Sequence, residues 1–140
     1  MSDFQAFFAQ NAPLDTVEEI PVSPRFKDEN GKPIKWKVRS ITEEENAELR
    51  KASTKRIKGR NGTQKTEFST DDYTAKMAVV GVVFPDLKNV ELQQSYGALG
   101  AESLLKKMLL PGEYADLLIK VQQINGFDKD INDLVEDVKN

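Results

Sequence analysis

The chemistry open to this chain is that of carboxylates, amines and hydroxyls, because its sequence holds neither cysteine nor histidine. Thiolate nucleophiles, Ser-His-Asp triads, Cys/His zinc sites, disulfides and imidazole acid–base catalysis are excluded together. Carboxylates are plentiful in two groups: Glu67 with Asp71 and Asp72, and Asp128, Asp130, Asp133, Glu136 and Asp137. Neither has the spacing of a calcium loop, in which acids at positions 1, 3 and 5 precede Gly at 6 and Glu at 12. Acids that open a helix or line its polar face account for both groups better. A glycosidase-like carboxylate pair depends on two acids meeting in space, and nothing in the spacing favours one. Gly97 and Gly100, in Ser95-Tyr-Gly-Ala-Leu-Gly-Ala101, lack the Gly-Lys-Ser/Thr ending of a phosphate loop and read as two helix boundaries. No catalytic residue, metal ligand or cofactor is expected, and the chain reads as a binding protein rather than an enzyme.

Two features suit binding. Arg50, Lys51, Lys55, Arg56, Lys58, Arg60 and Lys65 form a basic stretch without an acid, suited to phosphates or to an acidic protein. Its plainer reading is a solvated helix end and loop balanced by Glu43–Glu48. No aromatic is interleaved to stack on bases, and the chain carries a net charge of -3, so no nucleic-acid partner is expected. The second feature is a surplus of apolar side chains. Leu104, Leu105, Met108, Leu109 and Leu110 are followed by Leu117, Leu118, Ile119, Val121 and Ile124, more than one narrow helical stripe. A buried core takes most of them; a groove receiving an amphipathic helix would take the rest.

These residues must be positioned by a chain of 140 residues, the size of one domain with one core. Residues 1–18 read as an N-terminal arm. Phe4, Phe7 and Phe8 share one face of a short helix that Asn11-Ala12-Pro13 ends. Burial gives each ring about 2 kcal/mol, while ordering costs about 1–2 kcal/mol per residue. The arm therefore docks on the body, the plainer outcome, or waits for a partner. Residues 19–140 read as a single mainly helical domain that starts with a β-hairpin over 19–41. Ile20, Val22 and Phe26 alternate on its first strand and Ile34, Trp36 and Val38 on its second, around Asn30-Gly31. Pro21 and Pro24 place the first strand at a sheet edge.

Thr42 with Glu45 forms a capping box for a surface helix running to about Ile57. Residues 58–67 have the composition of an exposed loop. Ser69 or Thr70 then caps a helix to Phe84 that is apolar nearly all round and so reads as the centre of the core, with Gly81 permitting close approach of a neighbour. Pro85 stops it. Short helices follow, to Tyr96, over Ala101–Leu110 and over Glu113–Ile124, before a last one opened by Asp128. The fold class expected is α+β, mainly α-helical, with the hairpin packed on a compact bundle of short helices. The longest apolar run, Met77–Phe84, is far short of the roughly 20 residues that span a membrane. The opening Met1-Ser2-Asp3-Phe4 lacks a basic n-region, so no secretory signal and no membrane partner are expected.

Three segments carry a resemblance: Arg25-Phe-Lys-Asp-Glu-Asn-Gly-Lys-Pro-Ile-Lys-Trp36, Val83-Phe-Pro-Asp-Leu87, and Ser95 through Tyr114 continuing to Ile124-Asn-Gly-Phe-Asp128. Over nearly its whole length the chain resembles the XkdN-like tail assembly chaperones of PBSX-type prophages. The resemblance implies a protein of phage morphogenesis, working in the bacterial host cytoplasm and absent from the mature virion. It implies binding of the tape measure protein, whose long apolar helices stay soluble until tail tube subunits polymerise around them. The alternative is a structural tail component or adaptor retained in the particle. The resemblance brings no catalytic or binding residues, so partner contacts are assigned from the apolar residues alone: Phe4, Phe7, Phe8, Leu105, Leu109, Leu117, Leu118 and Val121. Some relatives make a longer product by ribosomal frameshifting, and Lys139-Asn140 is compatible with an A-rich slippery run, which the gene would reveal.

Overall fold

In the computed structural model, which describes residues 2–13 and 16–127, the chain has a mixed α+β architecture. Strand β1 (Val17–Ile20) pairs antiparallel with β2 (Trp36–Arg39), Ile20 facing Trp36 and Val17 facing Arg39. β1 thus begins inside the segment expected as an arm. It stops at Pro21, which has no amide hydrogen for a ladder. A turn closed by Asp28 occupies the long connection: its Oδ1 accepts from the Asn30 and Lys32 amides at 2.9 and 3.0 Å, with Gly31 at φ 79°.

Helix α1 (Glu43–Ala52) opens with the expected capping box, the Glu45 amide donating to Thr42 Oγ1 at 3.2 Å and the Thr42 amide to Glu45 Oε1 at 3.1 Å. It ends five residues before the expected Ile57. The basic stretch continues instead as a second antiparallel hairpin, β3 (Thr54–Lys58) against β4 (Gln64–Phe68). β-branched and aromatic residues at Thr54, Ile57, Thr66 and Phe68 favour strand. Asn61 and Gly62, at φ 65° and 74°, make the turn. Helix α2 (Thr70–Gly81) has Ser69 as its cap, accepting from the Asp72 amide at 3.2 Å. Its last three expected residues leave the helix and become β5 (Val82–Phe84), which pairs with β2 and completes a sheet of order β1-β2-β5. Two successive valines suit an extended backbone, and Pro85 bars any return to helix.

Helices α3 (Val90–Ser95), α4 (Ala101–Met108) and α5 (Pro111–Ile124) follow. Pro111 opens α5 rather than closing α4, because a proline at the first helical position forfeits no hydrogen bond. The helix expected from Asp128 lies outside the described residues. α2 is central, packing against α1, α4 and α5. A Cβ on Gly81 would stand 3.4 Å from the Arg39 carbonyl oxygen and 3.5 Å from Val38 Cγ1, so the helix end rests on the sheet at van der Waals contact. Trp36, Val38, Met77, Ala78, Leu104, Leu105, Leu117 and Val121 are buried together between sheet and helices. Buried polar groups at α1 are satisfied: Ser53 Oγ donates to the Leu49 carbonyl at 2.8 Å, and Tyr73 Oη of α2 donates to Asn46 Oδ1.

Candidate functional site: an apolar partner-binding surface

The expected contact residues divide sharply. Leu105, Leu117 and Val121 are no more than 1% exposed and Leu109 is 8% exposed. Leu105, Leu117 and Val121 lie on the inward faces of α4 and α5 and Leu109 caps α4, so they hold the fold and offer at most a trace of surface. Leu118 is half-buried against the same core. The three arm residues behave differently. Phe4 is 72% and Phe7 81% exposed, Phe8 less so, and the short 3-10 turn Phe4–Phe7 buries nothing. Phe4 and Phe8 touch only edge to face, ring centroids 5.4 Å apart. Docking of these rings on the body, the plainer expectation, is not what the structure shows.

A second apolar feature lies between the end of β1 and α5. Ile20, Pro21 and Val22 form one wall and Leu117 and Ile119 contribute from the helix, enclosing about 420 Å³. Glu113, Asp116, Lys120 and Gln123 make the remaining, polar lining. The wall is braced from below. Glu113 accepts from Arg25 Nη2 at 2.6 Å and from the Leu110 amide at 2.9 Å, while Arg25 also donates to the Met108 carbonyl at 2.7 Å. The Arg25 guanidinium first, then the Ser23 hydroxyl and the Leu110 amide, hold the Glu113 carboxyl down at about 2. At the far end of α5, Asn125 Oδ1 accepts from the Ile41 amide at 2.7 Å and ties the helix to the link between β2 and α1. Of the residues that line this groove, only Leu117 was among the assigned partner contacts; Ile119 was named only within the apolar surplus, and Ile20, Pro21 and Val22 only as strand residues. The adjacent Ile119, outward-facing at 53% exposure, was the available signal: it falls off the stripe of Leu117 and Val121.

Among the described residues no three acidic side chains converge as a metal ion would require. No described helix is long and apolar enough to cross a membrane. The basic stretch starts with Arg50 and Lys51 at the end of α1 and continues along the β3–β4 ribbon, both strands of which are exposed throughout.

Comparison with known proteins gives this surface a context. Residues 4–139 match the family model of the phage XkdN-like tail assembly chaperone protein. The chain is 36% identical over 139 residues to the protein YqbN of Bacillus subtilis strain 168, covering 96% of this chain and 92% of that one. It is 32% identical over 139 residues to the phage-like element PBSX protein XkdN of the same organism, covering 96% and 93%. The crystal structure of the protein YqbN superposes with a TM-score of 0.76 at 29% identity, over 91% of this chain and 99% of that one. A match this long spans the arm, the groove and the ribbon alike, and the chain belongs to the XkdN-like phage tail assembly chaperone family, which is not a class of enzymes.

Proposed function

We propose that this chain binds the tape measure protein and keeps its apolar helices soluble in the host cytoplasm until the tail tube assembles around them. The observation that carries this reading is the arm: three phenylalanines within five residues, with none of the three buried. Exposed rings of this kind invite an apolar partner, and a helix with anchors at i, i+3, i+4 and i+7 suits the groove between β1 and α5. The arm, expected over residues 1–18, acts as a unit distinct from the body only ahead of β1, because Val17 and Glu18 already pair with β2. Exchange needs no energy source, since tube subunits replace the chaperone's contacts and release it before the virion is complete.

Co-expression tests this. The tape measure protein is expected to remain soluble and to copurify with the full chain. A chain lacking residues 2–13 is expected to fold with an unchanged melting midpoint but to leave the tape measure protein insoluble. Equal solubility with and without the chain, and no copurified complex, would refute the proposal. Stoichiometric presence of the chain in purified particles would favour a retained tail component instead.

A further inference from the structure

The β3–β4 ribbon has no part in the binding reading above, yet it is a densely basic element. Lys55, Arg56, Lys58, Arg60 and Lys65 stand against one acid, Glu67, between residues 54 and 68. Among the described residues each of its strands pairs only with the other, so both outer edges present unpaired backbone groups there. Such edges template the addition of another strand. The charges decide which strand, because like charges directly opposite one another are destabilising and opposite charges stabilise.

The same chain carries a matching strand. β1, Val17-Glu18-Glu19-Ile20, lies at the edge of its sheet and contains two acids and no base. Two β1 edges would set Glu18 and Glu19 against their own counterparts, and two ribbons would set base against base. Ribbon against β1 is the complementary combination. The lengths agree, five residues against four. β1 also runs directly into the groove bordered by Asp116, and the ribbon carries an exposed apolar residue, Ile57, among its bases.

We infer that β3 of one copy adds to the open edge of β1 in a second copy, setting Lys55, Arg56 and Lys58 against Glu18, Glu19 and Asp116, with Ile57 entering the groove. The contact joins two different patches, so it closes as a reciprocal pair or a ring, or repeats as an open chain. It stands whether or not the tape measure protein uses the same groove. A nucleic acid is the weaker occupant, because the rest of the chain carries net negative charge that would repel it.

Charge exchange tests the inference, read by sedimentation equilibrium of the full chain at low and high salt. The ribbon variant is Lys55→Glu/Arg56→Glu/Lys58→Glu and the edge variant is Glu18→Lys/Glu19→Lys, each checked for folding by circular dichroism. The wild-type chain is expected to self-associate at low salt and to dissociate at high salt, where exposed charges are screened. Each variant alone is expected to associate about tenfold more weakly or worse. Their equimolar mixture is expected to recover association, since reversed ribbon then meets reversed edge. A wild-type chain monomeric at every concentration at low salt overturns the inference. So does association unchanged in either variant, a mixture that stays monomeric, or a wild-type monomer that binds a DNA duplex through the ribbon.

Discussion

Arg25 and Glu113 meet at 2.6 Å although 88 residues separate them in sequence, and the pair ties the β1–β2 connection to the start of α5. Glu45, gripped first by Arg39 and then by the Thr42 amide, is likewise held down at about 2. Both carboxyls lie below their ordinary value of 4.5. A depressed pKa contributes stability that is complete above the unfolded value and is lost as pH falls toward the folded one. The urea midpoint is therefore expected to drop between about pH 4.5 and pH 2. The drop should be shallower in Glu45→Gln/Glu113→Gln, which keeps the hydrogen-bonding shape but does not titrate. The apolar residues divide just as clearly. Leu105→Ala or Leu117→Ala, each opening a cavity in a sealed core, should cost about 2–5 kcal/mol by urea denaturation. Phe7→Ala should shift stability by less than about 0.5 kcal/mol while weakening capture of the tape measure protein.

Among the elements, the capped helices were the most legible in the sequence. Thr42 and Ser69 announce α1 and α2 because a hydroxyl N-cap is a local device, settled by residues within one turn. Thr42→Ala should accordingly cost about 1 kcal/mol, measured as a loss in urea midpoint. The edge position of β1 was legible from Pro21, but the alternation held only in part: Ile20, Trp36 and Val38 lie in strands, whereas Val22, Phe26 and Ile34 fall in the connection because Pro21 ends β1. β5 was not, since Val82-Val83-Phe84 continues the apolar run of α2 and only pairing with β2 makes it a strand. Periodicity cannot separate a buried helix from a buried strand over three residues. The β3–β4 ribbon was missed for another reason: its alternation is diluted by lysines and threonines, and its Asn61-Gly62 turn resembles an ordinary loop. Burial at the candidate contact residues was not legible. The phenylalanines of the arm were expected first of all to dock on the body, and their exposure was not legible, because so short a segment does not say whether its rings find the core. Helical leucines do not reveal which face looks inward until the neighbouring helices are placed.

Around the buried core, the described residues leave three features exposed: the arm, the groove and the ribbon. These parts should respond separately. Gly81→Ala sits where a Cβ just reaches contact with Arg39 and Val38, so stability should change by less than about 1 kcal/mol. Gly81→Leu should drive the end of α2 off the sheet, at about 1–3 kcal/mol. Both are read from thermal melts, and neither should alter what the arm captures. One further consequence follows from the position of Trp36, the sole tryptophan of the chain. It is 2% exposed at the start of β2, with the Phe26 ring 6.0 Å away. Its indole is a built-in optical gauge of the join between sheet and helices: emission should shift to the red when the core opens, and stay dark to events on the arm. A titration in which a partner quenches or shifts that emission therefore reports a ligand that has reached the body itself.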